Sequence, residues 1–255
     1  MIKSVLAHPL TRGLDIDDPR TTHLRREVIQ SKRFLRKIYE EWYREIVADL
    51  PACDGRVLEL GSGAGFLSQF IPDLITSEIF ATEGAALVMD AHAMPLSEGS
   101  LRAIVMTNVL HHLAQPRCFF AEAARCVKPG GAMIMIEPWV TTWGRWVYTH
   151  LHHEPFVPEA TAWGFPRTGP LSGANGALPW ILFVRDRDQF EREFPMWELR
   201  TIRPIMPFRY LVSGGVSMRS LAPGWTYGAC RALENCLNPW SDRWGMFAHI
   251  TLARR

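Results

Sequence analysis

The chain has 255 residues, of which 47% are hydrophobic and 21% are charged, and its formal net charge is +2. This balance excludes a disordered chain, a collagen-like repeat and a coiled coil. So small a net charge also gives no reason to expect nucleic acid as a partner.

The first half of the chain alternates short apolar runs with amphipathic stretches. Residues 31–50 carry apolar side chains at helical spacing and end at Pro51, within an N-terminal helical segment of residues 1–54. The pattern then predicts strands and helices: strands at Arg56–Leu60, 74–78, 86–89, Leu101–Thr107 and 132–136, and helices at 66–71 and 118–127. Such alternation predicts an α/β fold with a doubly wound, mostly parallel sheet and helices on both faces.

Polar residues and one glycine collect at the carboxyl ends of these predicted strands, where open α/β sheets bind their ligands. They are Glu59, Gly61, Glu78, Asp90, Asn108 and Glu137. The sequence therefore predicts a binding cleft along that edge of the sheet.

The glycine-rich loop after the first strand narrows the class of ligand. Gly61-Ser-Gly-Ala-Gly65 lacks the third glycine of a dinucleotide fingerprint, because position 66 is Phe, and it lacks the lysine of a phosphate-binding P-loop. Glu59 precedes the loop by two residues, where a carboxylate would repel a pyrophosphate but would suit an ammonium group. Residues without side chains let such a ligand approach the backbone closely.

Four segments together resemble the class I S-adenosylmethionine-dependent methyltransferases, in particular the bacterial methyltransferase type 11 group. They are residues 57–66, the acid Glu78, residues 89–96, and residues 108–112 followed by 120–131. The resemblance covers about residues 55–138, which it marks as the cofactor-binding core. It returns more faintly in 185–202 and 246–253, within the segments 185–206 and 246–255 that would supply the last helix and strands. It implies a single domain with a Rossmann-like, seven-stranded sheet.

The same resemblance implies S-adenosyl-L-methionine as cofactor. It implies that the backbone of Gly61, Ser62 and Gly63 lines the methionine part and that Glu59 reaches the ammonium group. Glu78 would bind the ribose, and Asp90 with the backbone of Ala91 would bind the adenine. Asn108 would lie beside the sulfonium, and Gly65 would let the next helix pack. Only eleven residues separate Glu78 from Asp90, where the family commonly has a helix. We therefore expect that helix to be truncated or absent and the adenosine to be more open there.

Histidines supply the candidate bases for a methyl transfer, which is an in-line displacement that sometimes needs proton removal. His111 and His112 follow the fourth strand, so one of them should face the cleft; packing against the cofactor is the alternative role. A second group, His150, His152, His153 and Glu154, lies on or just after a predicted helix at 143–153. His153 is the candidate base in that group. No metal site is expected, because the adjacent His152 and His153 face apart on a helix.

Two long insertions, residues 139–184 and 207–245, are dense in aromatic residues. Nine of the ten tryptophans lie after Glu137, and the insertions also carry Arg145, Arg167, Arg209 and Arg219. Loops of this length in a compact domain are usually functional. We expect them to form an aromatic-rich cap over the cleft, with plain scaffolding as the alternative.

These features predict a methyltransferase that acts on a small or lipid-like acceptor, with a hydroxyl oxygen as the favoured methyl acceptor. Two alternatives stay open: a cofactor-binding enzyme with non-methylating chemistry, such as a cyclase or isomerase, and a non-catalytic cofactor-binding partner protein. No apolar run reaches the roughly 18 residues of a membrane span, and the five cysteines form no CxxC pair. The expected location is therefore cytoplasmic. Peripheral membrane contact through the cap is an open option, and the sequence leaves the oligomeric state undefined.

Overall fold

Seven strands form one mixed sheet in the computed structural model, which describes residues 8–10, 17–152, 154–166, 169 and 173–255. In chain order the strands are β1 Arg56–Leu60, β2 Ile75–Glu78, β3 Leu87–Val88, β4 Leu101–Thr107, β5 Val127–Pro138, β6 Trp197–Ile205 and β7 Phe247–Arg254. Their order across the sheet is β3-β2-β1-β4-β5-β7-β6. Strands β1 to β5 run parallel, whereas β7 is antiparallel to both β5 and β6. The predicted Rossmann-like, mostly parallel seven-stranded sheet is confirmed.

Helices cover both faces of this sheet. In chain order they are α1 Pro19–Ser31, α2 Arg33–Ala48, α3 Pro116–Cys126, α4 Thr142–His150, α5 Leu178–Trp180 with the π-helical turn Ile181–Arg185, α6 Arg187–Glu193, α7 Arg209–Ser213, α8 Tyr227–Leu237 and α9 Ser241–Trp244. Single 3-10 turns lie at Leu67–Gln69, Leu110–His112, Gly224–Thr226 and Asn238–Trp240. No helix in the described part of the chain is long and apolar enough to cross a bilayer.

Side-chain alternation along the strands gives the sheet two buried faces. On β4, Ile104 and Met106 join a core with the aromatic rings of α3 and α6, while Ala103 and Val105 join the core beneath α2. Helix α2 is the amphipathic helix that the sequence predicts, and its Trp42 is fully buried. Because both faces are covered, the strands read as continuous apolar runs.

The structure corrects two local predictions, the helix at 66–71 and the start of β5, and it confirms a third, the missing helix after β2. Residues 66–71 form only the turn Leu67–Gln69 rather than a helix, because six residues between Gly65 and Pro72 give little room for one. Strand β5 begins at Val127 rather than at residue 132, so the Lys-Pro-Gly-Gly run belongs to the strand, with Pro129 and Gly130 exposed and Gly131 buried, and is not a stop before it. No helix forms between β2 and β3, as the short spacing predicted, and the chain turns there at Gly84 with φ of +89°.

The second insertion is tied to α2 by a buried ion cluster around Arg209. The Arg209 guanidinium contacts both carboxylate oxygens of Glu41, with nitrogen–oxygen distances of 2.8 and 3.0 Å. It also pairs with the Glu234 carboxylate. Glu234 also accepts the backbone N–H groups of Phe208 and Arg209, and it is 2% exposed. This cluster fixes the position of α7 beside the sheet.

Candidate functional site

A cavity of about 270 Å³ opens beyond the carboxyl ends of β1, β2 and β4, at the point where the strand order reverses and where such sheets bind ligands. It is lined by five of the residues that the sequence singles out for the cofactor: Gly61, Glu78, Asp90, Ala91 and Asn108. The other four, Glu59, Ser62, Gly63 and Gly65, are not among its lining residues. The predicted set therefore divides into a cavity wall and the groups packed behind it.

The glycine loop is shaped so that side chains would not fit. Gly61 has φ of +68°, and a Cβ atom there would lie 2.5 Å from a methyl group of Val109. A Cβ atom on Gly63 would collide with Thr22 of α1 and with the Glu78 carboxylate. The loop can therefore present bare backbone at Gly61 and pack tightly at Gly63.

Glu78 is held in place at the end of β2 by two backbone donors. The Gly63 N–H donates to its Oε1 at 2.8 Å and the Ile79 N–H donates to its Oε2 at 3.2 Å. Burial nevertheless raises the pKa of the Glu78 carboxyl, and these two hydrogen bonds only partly oppose it. Since each carboxylate oxygen can accept two hydrogen bonds, Glu78 can still receive a pair of hydroxyl donors from the cavity.

Glu59 is a buried carboxyl just behind this wall. Burial, together with the nearby Glu78, raises the pKa of Glu59 to about 8, against a smaller opposing effect of Arg26. A cationic group in the cavity would favour the ionised form of both acids. This electrostatic setting fits a ligand that carries an ammonium and a sulfonium group.

Asp90 and Asn108 are two further predicted cofactor residues that line the cavity. Asp90 accepts the His92 backbone N–H at 3.0 Å, and its Oδ1 lies 2.5 Å from the His92 ring Nδ1, so His92 fixes the orientation of this carboxylate. Asn108, directly after β4, has φ of +58°. Asparagine tolerates this left-handed conformation better than most residues, so its side chain suits the turn at the end of this strand.

His111 lies between two carboxylates at the opposite end of the cavity. Its Nδ1 is 2.6 Å from Glu137 Oε2, and its Nε2 is 3.5 Å from Glu154 Oε2. Burial disfavours the charged ring, but the two glutamates outweigh it and raise the pKa of His111 to about 9. The same contacts hold the pKa of Glu154 well below its usual range in spite of burial. The surroundings of His111 therefore favour its charged, doubly protonated ring.

His112 differs from its neighbour, although the two rings lie 4.2 Å apart. Its Nδ1 is 3.2 Å from the Gly173 carbonyl oxygen, and its Nε2 is 3.9 Å from Glu154 Oε1. Burial and the charge of His111 lower the pKa of His112 to about 4. His112 is thus neutral at pH 7, and because a carbonyl only accepts, its proton is on Nδ1 and its Nε2 offers a lone pair.

The predicted histidines differ in whether they line the cavity. His111 and His112 both line the cavity, where the sequence led us to expect one of them. His152 also lines it, with Nδ1 3.8 Å from Glu154. His150 is exposed and stacks on Trp146 instead. His153 and Arg167 lie outside the described residues.

Part of the cavity wall escaped the sequence analysis. Helices α1 and α2 contribute Thr22, Arg25 and Tyr39, although nothing in the pattern of residues 1–54 marks these side chains. The two insertions contribute aromatic and aliphatic side chains, among them Tyr148, Leu151, Phe156, Tyr210, Leu211 and Met218. Within the described residues no tryptophan lines the cavity, so tyrosine and phenylalanine supply its aromatic surface.

Comparison with known proteins finds similarity over part of the chain. Residues 58–135 match a family model described as a methyltransferase domain. A curated relative, an uncharacterized 37.1 kDa protein in a transposon of Streptomyces fradiae, is 43% identical over 49 residues; the match covers 19% of this chain and only 14% of that protein.

Solved structures share the fold at low sequence identity. One is the methyltransferase complexed with the Trm112 activator of Haloferax volcanii, at 12% identity and a TM-score of 0.52 over 94% of this chain and 98% of that one. A second is geranyl diphosphate C-methyltransferase from Streptomyces coelicolor, at 12% identity and a TM-score of 0.50 over 98% and 92%. A third is a SAM-dependent methyltransferase from Thermotoga maritima, at 15% identity and a TM-score of 0.50 over 90% and 99%.

Proposed function

We propose that the chain is a class I S-adenosylmethionine-dependent methyltransferase and that it methylates a hydroxyl oxygen of a small or lipid-like acceptor. The observation that carries the proposal is one cavity lined by two different groups of residues. Glu78 and Asp90 line it at β2 and β3, while His111 and His112 line it after β4, on the other side of β1 in the sheet. A methyl donor and its acceptor can therefore meet inside one cavity.

S-adenosyl-L-methionine is the cofactor of this domain, and when bound it supplies the methyl group. Glu78 would accept hydrogen bonds from the ribose hydroxyls, and Asp90 with Ala91 would hold the adenine. Gly61 would present backbone to the methionine part, with Ser62, Gly63 and Gly65 shaping the loop behind it. Glu59 would act through the field of its charge, since it lies behind the wall. Asn108 would mark the sulfonium side, between the two ends of the cavity.

The acceptor end combines an apolar wall with one polar cluster. Leu151, Phe156 and Leu211 offer packing for an apolar body, and the cluster of His111, His112 and Glu154 offers a site for an oxygen. As the acceptor oxygen forms its bond to the methyl carbon, the carbon–sulfur bond breaks and its electron pair returns to sulfur. The hydroxyl proton passes to the polar cluster. These residues would therefore orient the acceptor and receive its proton.

Two rival functions would use the same cofactor site. A cyclase or isomerase would release a product without added mass, and a partner protein would bind the cofactor with no product at all. Incubation with methyl-labelled cofactor and fractionated small molecules, lipids, protein and nucleic acid separates them. We expect label in a small-molecule or lipid fraction and a product heavier by one methyl group. Absence of label from every fraction would contradict methyl transfer.

The cofactor assignment predicts the effect of removing each anchoring acid. Ala at Glu78 or at Asp90 should weaken S-adenosylmethionine binding about 10- to 150-fold, because a lost charge-assisted hydrogen bond costs about 1.5–3 kcal/mol. Isothermal calorimetry measures this affinity. Glu83→Ala is the matched control, since Glu83 lies on the adjoining turn with its side chain 86% exposed. Unchanged affinity in both Glu78→Ala and Asp90→Ala would rule the assignment out.

A peripheral membrane contact would suit a lipid-like acceptor. Trp143 stacks on Trp146 and also contacts Trp244, so these rings form one surface that links the two insertions. Trp146 and Trp244 are about half exposed. Tryptophan rings of this kind favour the membrane interface. Helix α4 connects this surface to the cavity, because Val147 on the same helix lines the wall.

Vesicle binding tests this surface. The double variant Trp146→Ala/Trp244→Ala should bind anionic phospholipid vesicles at least about tenfold more weakly than the unaltered protein, a loss of about 1.4 kcal/mol. Trp225→Ala serves as the control because Trp225 is 81% exposed but sits beside α2, away from this surface. Equal vesicle binding by the double variant and the control, or no binding by the unaltered protein, would refute the contact.

A further inference from the structure

Three side chains at the acceptor end place ligand atoms around one point. His111, His112 and Glu154 each offer one atom, and these atoms all lie within 4.8 Å of one another. Ligand atoms bound to a shared Zn²⁺ ion at about 2.0–2.2 Å lie about 3.3–3.6 Å apart in a tetrahedron. His111 Nε2 lies 3.5 Å from Glu154 Oε2, and His112 Nε2 lies 3.9 Å from Glu154 Oε1, so each ring is close to that spacing from one oxygen of the carboxylate.

The outer nitrogens of both rings are already committed to acceptors. His111 Nδ1 donates to the Glu137 carboxylate at 2.6 Å, and His112 Nδ1 contacts the Gly173 carbonyl oxygen at 3.2 Å. Glu137 is itself held by the backbone N–H groups of Val109 and Leu110, both at 2.8 Å. Metal-bound histidines are typically oriented in this way, with the second ring nitrogen on a carboxylate or a carbonyl. The supporting contacts of a metal site are thus present before any ion binds.

The third side chain, Glu154, reaches both rings from the first insertion. Its carboxylate oxygens lie 3.5 Å from His111 Nε2 and 3.9 Å from His112 Nε2. A metal ion between the three side chains would bind all of them at once.

We propose that His111, His112 and Glu154 form a binding site for a divalent first-row transition ion, with Zn²⁺ as the best match. Two imidazoles and one carboxylate favour Zn²⁺, Fe²⁺ or Co²⁺ over Mg²⁺ and Ca²⁺, which prefer oxygen ligands. Three protein ligands leave at least one coordination position unfilled. Because His111, His112 and Glu154 line the cavity, that position faces the space for the acceptor. An oxygen of the acceptor is the ligand that it would take.

The binding of the ion stands on the geometry alone, whereas its role in holding an acceptor oxygen rests on the proposed function. The test therefore measures metal directly. Metal-stripped protein is titrated with Zn²⁺ and with Mg²⁺ by calorimetry, and Co²⁺ substitution is followed by its visible absorption bands. We expect one Zn²⁺ per chain, no comparable Mg²⁺ binding, and a tetrahedral or five-coordinate Co²⁺ spectrum.

Variants identify the ligands. His112→Ala and the isosteric Glu154→Gln should each abolish stoichiometric Zn²⁺ binding, and Glu137→Gln should weaken it about 10- to 100-fold by loosening His111. His150→Ala should bind Zn²⁺ normally, since His150 is an exposed histidine that stacks on Trp146. Circular dichroism and thermal unfolding confirm that each variant is folded.

The outcomes separate this site from the methyltransferase activity. Zn²⁺ binding that survives both His112→Ala and Glu154→Gln, or a wild-type chain that binds no transition ion stoichiometrically, would overturn the proposal. Either result would overturn the metal site alone, and the proposals of S-adenosylmethionine binding and methyl transfer would still stand. Conversely, failure to find a methylated product would overturn the proposed activity, and the result of the metal titration would still hold.

Discussion

Replacing His112 by alanine should lower kcat for methyl transfer about 10²- to 10⁴-fold, the range usual for a group that handles the proton of the reacting atom. Without a bound ion, His112 offers the acceptor hydroxyl its Nε2 atom, because its Nδ1 lies on the Gly173 carbonyl oxygen. With an ion bound at Nε2, His112 instead holds the ion that would bind the hydroxyl oxygen, so its loss removes the group that handles this oxygen in either case. The affinity for S-adenosylmethionine should change little, because His112 lies at the opposite end of the cavity from Glu78. Steady-state kinetics and calorimetry measure the two quantities separately.

Two further variants make this expectation specific. Glu154→Gln keeps the shape of the side chain but removes its charge, and it should lower kcat in the same direction. His150→Ala should leave kcat unchanged, because His150 stacks on Trp146 outside the cavity. If His112→Ala raised KM and left kcat unchanged, the role of His112 would be to position the acceptor and not to take part in the proton transfer.

The cavity residues that we propose for the cofactor could be predicted to lie together because they follow strand ends. Strand β4 was placed at its observed bounds, and Gly61, Glu78, Asp90 and Asn108 occur where parallel strands end. Ends of neighbouring parallel strands meet at one edge of a sheet, so residues far apart in sequence become neighbours there. The prediction needed only the strand pattern and the resemblance.

The acceptor side could be predicted only in part. The pair His111-His112 follows β4 directly, but Glu154 reaches it from the first insertion through a path that no local pattern encodes. From the sequence, Glu154 is marked only as the acid next to His150, His152 and His153, and its pairing with His111 is a tertiary contact. No metal site was expected at those neighbours, whereas the site that we propose combines Glu154 with His111 and His112.

The aromatic composition of the insertions indicated a cap, but not which side chains face inward. Tyr148, Phe156 and Tyr210 line the cavity, whereas Trp146 and Trp240 point to the surface with about half of their area exposed. A count of tryptophans carries no direction, because the insertions lack a regular period that would distinguish inner from outer positions. The sequence did not predict that Thr22 and Arg25 of α1 line the cavity, because their place in its wall depends on how α1 packs and not on a local pattern.

Removing the Arg209 guanidinium should destabilise the whole chain. Arg209→Met leaves Glu234, which is 2% exposed, without its cationic partner, and breaking a buried ion pair in this way typically costs about 3–5 kcal/mol. Urea unfolding should show the transition midpoint shifted to lower denaturant concentration. Glu41 is affected less, because it keeps its contacts with Arg231 and Tyr227.

Two comparisons show whether burial of the unpaired charge is the cause. Arg231→Met removes a partner of the same Glu41, but the Arg231 side chain is 55% exposed, so its loss should cost at most about 1 kcal/mol. The double variant Arg209→Met/Glu234→Gln should recover part of the stability, since no buried carboxylate is then left unpaired. Equal costs for Arg209→Met and Arg231→Met would mean that the cluster is effectively solvated. Because Tyr210 and Leu211 directly follow Arg209 and line the cavity, the same loss should also loosen the acceptor end of the site.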